Sequence, residues 1–317
     1  MLKIKYSFAD EDALKDYVSE IYGLPIRVFE LQRDQRGALY YVYTQQKKYV
    51  FKLSHTYYKE KSVNAVNMID YLRKRNFPAV EIIPTAKDEL YISVPMPEGI
   101  RIGVLYGFIE GRAATFDDME EIGKTAALLH NEMSSFNGIM PRLYDKCYVI
   151  DELPKTLRMI RFDETKIIDI ERTANVIWDR IKDFPSAIVH GDFDKNNIII
   201  KDDGTITMFD FDDAGYMPLI YDVVYTCNRI GLREFTREDA ELTEKTIAMY
   251  LKGYRSVNPH AEFATSDAFN WIGYRRLDVQ MIILRFEHSK SGLIPFERLD
   301  MLHQWLADWE KYTVIMT

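Results

Sequence analysis

The spacing of apolar positions changes period along this chain. In "ALKDYVSEIYG", Leu14, Tyr17, Val18 and Ile21 recur three and four residues apart, the stripe of an amphipathic helix. Three runs then have strand character: 26–34, 38–45 and 48–54, joined by short turns at Gly37 and "QQKK". Connections this short predict an antiparallel meander. A helix is expected over about 57–75, followed by strand-like runs in "VEIIPT", "ELYISV" and "RIGVLYGF".

After Gly111 the pattern turns helical. "TFDDMEEIGKTAALLHNEM" opens on Thr115 and carries Asp118 three residues on, a capping-box spacing. Further helices are expected at 219–231, 236–256, 263–288 and 294–314, with a β-rich island at 186–213. A β-rich first third and a helical remainder predict an α+β, two-lobed chain. Residues 1–106 would form a small antiparallel-β N-lobe with one main helix. Residues 107–317 would form a larger, mostly helical C-lobe, with the junction near 106–111.

Composition then narrows the partners. At 317 residues and 47% hydrophobic, the chain can bury one large core or two smaller ones. A formal net charge of −8 disfavours nucleic acid as a main partner. Cys147 and Cys227 form neither a disulfide framework nor a zinc spacing, which points to a reducing compartment. The first residues lack a signal-peptide core, and no run is apolar for the length of a membrane span. The expectation is a soluble cytoplasmic protein without nucleic-acid or membrane partners; oligomeric state is not indicated.

The densest chemistry lies in "HGDFDKNNIIIKDDG", residues 190–204. A calcium loop counted from Asp192 fails at its sixth position, Asn197, where a glycine is wanted, and at its twelfth, Asp203, where a glutamate is wanted. A two-metal phosphoesterase would need clustered histidines, and the six here are scattered singly. Phosphoryl transfer needs a carboxylate to orient the attacking hydroxyl, and an amide oxygen plus a second carboxylate to hold magnesium. Asp192, Asn197 and Asp210 supply that set. "IIIK" and "TITMF" would form a hairpin turning at 202–204, which would return Asn197 and Asp210 to one place.

These residues resemble the aminoglycoside phosphotransferase and choline kinase family, the small-molecule branch of the protein-kinase-like fold. The resemblance rests on "VHGDFDKNNIII", "MFDFDDAG", "YDVVYT" and "KTAALLH". It implies that Asp192 is the catalytic base, that Asn197 and Asp210 bind Mg2+, and that His190 and Asp222 brace the catalytic loop. It implies ATP or GTP as donor, with Lys52 of "YVFKLS" on the nucleotide phosphates. The family's helix glutamate falls near Ala65, so Glu60, or failing it Asp70, is expected to pair with Lys52. Gly37 is either a simple hairpin turn or a point of phosphate approach, and Arg36 beside it is either a phosphate contact or solvated. The Gly107 carbonyl and Ile109 amide are expected to face the adenine edge.

The acceptor is less defined. Asp194 replaces a lysine found in protein kinases, and either faces a cationic acceptor or turns to solvent. Asp212 and Asp213 either line the acceptor pocket or form a solvated acidic turn. In the helix at 263–288, Phe269, Ile272 and Ile283 are assigned to the core, and Trp271, Tyr274 and Arg275 are candidates to reach the cleft. Glu287, Asp300 and Glu310 are expected at the surface. The expected function is transfer of the γ-phosphate to a hydroxyl of a small molecule: an aminoglycoside, amino alcohol, homoserine or sugar-like compound. The alternatives are a protein Ser/Thr kinase of the same fold and a non-catalytic nucleotide-binding protein. Only twelve positions separate Asp210 from Asp222, too few for a regulated activation loop.

Overall fold

The computed structural model describes residues 7–34, 37–290 and 296–315, and among these the side chains of 286–290 and 315 are not described. Glu287 therefore falls outside the described side chains. Helix α1 (Glu11–Tyr22) starts at Asp10, whose carboxylate accepts from the Ala13 amide, and ends at Gly23 in the left-handed region. The meander follows as β1 (Val28–Asp34), β2 (Gly37–Tyr43) and β3 (Lys48–Ser54). Helix α2 (Lys59–Lys74), β4 (Ile82–Ile83), β5 (Ile92–Met96) and β6 (Gly99–Gly107) complete a six-stranded sheet. Its order is β1-β2-β3-β6-β4, with β5 on β6, all antiparallel.

Strand alternation gives this sheet two different faces. One carries Phe29, Tyr40 and Phe51, with ring centres 4.4 to 6.4 Å apart, and buries them with Leu14, Val18 and Tyr22 of α1. The other carries Val104 and Ile102 under Val66 of α2, and beside them Lys52, directly opposite Val104.

The chain divides into two compact units that interleave in sequence. The first comprises Met1–Ala114, Ser135–Met140 and Lys195–Ala214. The late segment joins it because β9 (Ile198–Ile200) pairs with β7 (Arg112–Ala113) and with β10 (Ile206–Met208), and Met208 bridges to Ala79. The second unit holds α3 (Met119–Met133), α4 (Glu152–Met159), α5 (Glu164–Ile181) and β8 (Ala187–Val189). It continues through β11 (Gly215–Met217), α6 (Ile220–Cys227), α7 (Arg237–Val257), α8 (Thr265–Lys290) and α9 (Phe296–Ile315). The capping box at Thr115 and Asp118 is present. Helix α6 stops at Cys227 rather than at 231.

Helices α3 and α7 cross very closely. A Cβ on Gly253 would lie 1.7 Å from the Glu120 carbonyl oxygen, and one on Gly123 2.0 Å from that of Tyr250. Helix α8 packs against α5, α6 and α9, which leaves its 268–274 stretch buried on every side.

The N-terminal edge of the first unit is tied by a buried ion pair. Glu98 accepts from Arg101 Nε at 2.9 Å and from the Ser7 hydroxyl at 2.6 Å. Burial alone would raise the Glu98 pKa, but the Ser7 and Arg101 hydrogen bonds bring it down to about 2. A depressed carboxylate pKa adds stability above its unfolded value, about 4.3, and loses it as pH falls towards 2. Glu98→Gln is therefore expected to lower Tm at pH 7 and to flatten the Tm–pH curve between about 4 and 2, measured by thermal unfolding across that range. An unchanged curve would contradict this.

Candidate active site

On the sheet face that carries Lys52, a cavity of 290 Å³ lies between the strands and the β9–β10 hairpin. Its apolar walls are Leu39, Val50, Val80, Tyr106, Ile199 and Phe209, and Lys52, Asp210 and Arg33 supply charge. Gly107, Phe108 and Ile109 also line it, so the segment expected to face a purine does face this cavity. Gly107 ends β6, and its amide donates to the Glu81 carbonyl at 2.9 Å. Gly37 sits at the start of β2 with φ 144°, and a Cβ there would lie 2.7 Å from the Leu53 carbonyl oxygen. The positive φ and the close approach of β3 both favour glycine at that point. Arg36 lies outside the described residues.

The β9–β10 hairpin explains the spacing of Asn197 and Asp210. Ile198 pairs with Met208, and one step outward the Phe209 amide donates to the Asn197 carbonyl at 3.1 Å. Antiparallel pairing thus returns Asp210 to the end of the hairpin where Asn197 begins it. Asp210 has φ 64° and ψ 59°, a left-handed conformation that costs a non-glycine residue about 1–2 kcal/mol. The strained residue turns the chain straight into a short 3-10 turn, Phe211–Asp213.

That turn departs from expectation. Lys52 Nζ lies 2.7 Å from Asp210 and 2.9 Å from Asp212. Glu60 is exposed on the first turn of α2, and Asp70 pairs with Lys74 at 2.6 Å. Neither expected helix acid takes the lysine; Asp210 and Asp212 do. Helix α2 instead contributes a cation, Lys61, 2.6 Å from Asp213. Asp212 and Asp213 are thus both engaged by lysines. Burial would lower the Lys52 pKa, but Asp212 and Asp210 outweigh it and hold it above the usual lysine value. Burial raises that of Asp212, with Lys52 opposing and Asp210 reinforcing.

In the second unit, the loop after β8 is organised by Asp222, which is fully buried near the start of α6. Its carboxylate accepts from the His190 amide at 2.8 Å and the Gly191 amide at 3.0 Å. His130 Nε2 lies 3.0 Å from the same carboxylate, and His130 Nδ1 lies 2.9 Å from the Tyr254 hydroxyl. His190 Nδ1 accepts from the Asp192 amide at 3.4 Å, and the Asp194 amide donates to the Asp192 carbonyl at 2.7 Å. Asp192 and Asp194 are half-buried. The Tyr225 hydroxyl donates to the Asp192 carboxylate and accepts from Arg275, whose guanidinium lies 3.9 Å from the Tyr225 ring centre. Burial raises the Tyr225 pKa to about 12, with Arg275 pulling it down and Asp192 pushing it up.

His130, Tyr225 and Lys61 are the polar contacts that sequence reading left unassigned. His130 closes "KTAALLH" and Tyr225 lies in "YDVVYT", so the motifs were visible but the roles were not. Trp271 and Tyr274 are corrected as acceptor-pocket candidates: both are buried in the helical core, their ring centres 5.4 Å apart. Of the assigned core positions, Phe269 and Ile272 are buried and Ile283 is half-buried. Asp300 and Glu310 pair at the surface with Lys166 and Arg172.

An antiparallel sheet with a lysine beside the cavity, a mostly helical second part and an HGD loop braced by a buried aspartate together define a kinase-like fold. The chain matches the model of the phosphotransferase enzyme family (APH) over residues 28–260, and it belongs to that family. Amicoumacin kinase of Bacillus subtilis (strain 168) is 22% identical over 274 residues, covering 80% of this chain and 79% of that protein. Among solved structures, the amicoumacin kinase hAmiN in complex with AMP-PNP, Ca2+ and Ami superposes with TM-score 0.73 at 16% identity, over 96% of this chain and 94% of that one. A microcompartment-associated aminopropanol kinase gives 0.72 at 17% identity, over 95% and 97%. Spectinomycin phosphotransferase APH(9)-Ia, in complex with ADP and spectinomycin, gives 0.69 at 14%, over 96% and 98%. Among the described residues no helix is long and apolar enough to cross a membrane.

Removing the Asp222 carboxylate would leave two buried amides and His130 without their acceptor. Asp222→Ala is expected to cost about 3–5 kcal/mol of stability, read by urea denaturation. A loss below about 1 kcal/mol would contradict this account of the loop.

Proposed function

We propose that this protein transfers the γ-phosphate of ATP, or GTP, to a hydroxyl of a small molecule, with Asp192 as the base. The observation that carries the reading is the hairpin register, which brings Asn197 and Asp210 together beside a cavity that also contains Lys52. An amide oxygen and a carboxylate form a hard-oxygen donor pair suited to Mg2+, which is usually held by one or two protein carboxylates together with nucleotide phosphates. Asn197 and Asp210 would hold the ion, and when bound it would neutralise charge on the phosphate oxygens.

The chain's own groups do the rest. Lys52 offers its ammonium to the phosphates, and the apolar walls of Leu39, Val50 and Tyr106 receive the base. Asp192 accepts the proton of the acceptor hydroxyl as that oxygen bonds to the γ-phosphorus and the bond to the nucleoside diphosphate breaks. The Tyr225 hydroxyl, donating to the Asp192 carboxylate, orients it.

An acceptor in the range of aminoglycosides, amino alcohols, homoserine or sugar-like compounds fits the family membership, and so does an amine-bearing acceptor opposite Asp194. A protein Ser/Thr substrate is disfavoured, because the stretch from Asp210 to Asp222 is taken up by the 3-10 turn, β11 and the start of α6. The first unit, with the 195–214 segment that joins it, acts as the nucleotide part and the second unit as the acceptor part, working in the cytoplasm.

The test is Mg-dependent turnover of ATP and GTP against aminoglycosides, amino alcohols and sugars, with casein as the protein control. Transfer to a small hydroxyl compound is expected. Asp192→Asn should reduce kcat at least about a hundredfold while nucleotide binding persists. Transfer to casein alone, or full activity in Asp192→Asn, would refute the reading.

A further inference from the structure

The strand lysine that binds phosphate needs a carboxylate to hold its long, flexible side chain in place. Helix α2 provides none here: Glu60 is exposed, Asp70 is occupied by Lys74, and Ala65 is buried against the sheet. Asp210 is bonded to Lys52, but on the reading above it is also wanted by Mg2+. Asp212 makes a separate contact to the same ammonium at 2.9 Å, through a different residue of the 3-10 turn. Asp213, the next residue, holds Lys61 of α2 at 2.6 Å. Consecutive carboxylates thus clamp one lysine from the strand and one from the helix.

We propose that Asp212 is the positioning carboxylate of Lys52, replacing a helix acid, and that the Asp213–Lys61 pair fixes the turn that presents it. The inference rests on the proposed nucleotide site. It divides the work between the two carboxylates on Lys52: Asp210 is available to the metal, and Asp212 keeps the ammonium directed at phosphate. The polarity of the sheet–helix link is thereby reversed, since the helix gives the cation and the loop gives the anion.

The geometry also makes an electrostatic alternative explicit. Among the described residues, Lys52 and Lys61 contact Asp210, Asp212 and Asp213, with Arg33 at the longer distance of 3.8 Å from Asp210. If Asp212 were simply excess negative charge near the phosphates, removing it would tighten binding of an anionic nucleotide. If it positions Lys52, removing it weakens binding.

Calorimetric titration of the full chain with Mg-ATP separates these, with Tm measured on every variant. Asp212→Asn is expected to raise Kd about tenfold and Asp212→Glu to restore part of that loss. In a Lys52→Met background, Asp212→Asn should have no further effect, because it acts through that lysine. The exchange Lys61→Asp with Asp213→Lys should bind more tightly than either single change. Equal or tighter binding by Asp212→Asn, or an undiminished effect without Lys52, would overturn the proposal. Should Asp212→Asn fail to fold, Asp212→Glu and the charge exchange decide: binding as weak as Lys52→Met in Asp212→Glu, or no recovery in the exchange, would overturn it. Wild-type affinity in Lys52→Met would instead remove the nucleotide site on which the inference rests.

Discussion

A single ammonium between two carboxylates, at 2.7 and 2.9 Å, is the constraint around which the first unit is arranged. Lys52 leaves the sheet on the face opposite the aromatic cluster of Phe29, Tyr40 and Phe51, so alternation along β3 determines its direction. Asp210 and Asp212 reach it because the β9–β10 hairpin docks beside the sheet through β7 and the Ala79–Met208 bridge. The left-handed turn at Asp210 then brings Asp212 to Lys52 and Asp213 to Lys61. Partly buried opposite charges in contact are worth more than a surface pair, and removing one partner leaves the other exposed to its full desolvation cost.

The second unit repeats the logic with hydrogen bonds in place of a salt bridge. Asp222 receives two loop amides and meets His130, and His130 meets Tyr254 across the close α3–α7 crossing. The glycines at that crossing let the two helix backbones approach, and the His130–Tyr254 contact spans it. Packing and site geometry are therefore one problem here: small residues allow the approach, and the approach positions the polar groups that shape the loop.

The sequence made some of this legible and not the rest, for physical reasons. Period-two and helical spacings located the meander, α2, α3 and α7, since each has a buried and an open side. The hairpin between Asn197 and Asp210 was readable because its register depends only on local pairing. The partner of Lys52 was not, because the contact joins residues 158 positions apart, and spacing favoured the nearby acids of α2, Glu60 first and then Asp70. Trp271 and Tyr274 were misassigned because α8 is surrounded by α5, α6 and α9, so an outward face does not exist over that stretch. Tyr225 and Arg275 meet beside Asp192 from different helices, a juxtaposition that no single helical period encodes.

The hairpin end and Lys52 together are proposed to form a metal-nucleotide site. The most direct measurement is the affinity of the full chain for AMP-PNP with and without magnesium, in the wild type and in Asp210→Asn. The account predicts that magnesium tightens binding in the wild type and has little effect once the Asp210 carboxylate is gone. Magnesium enhancement that is equal in both proteins would contradict it.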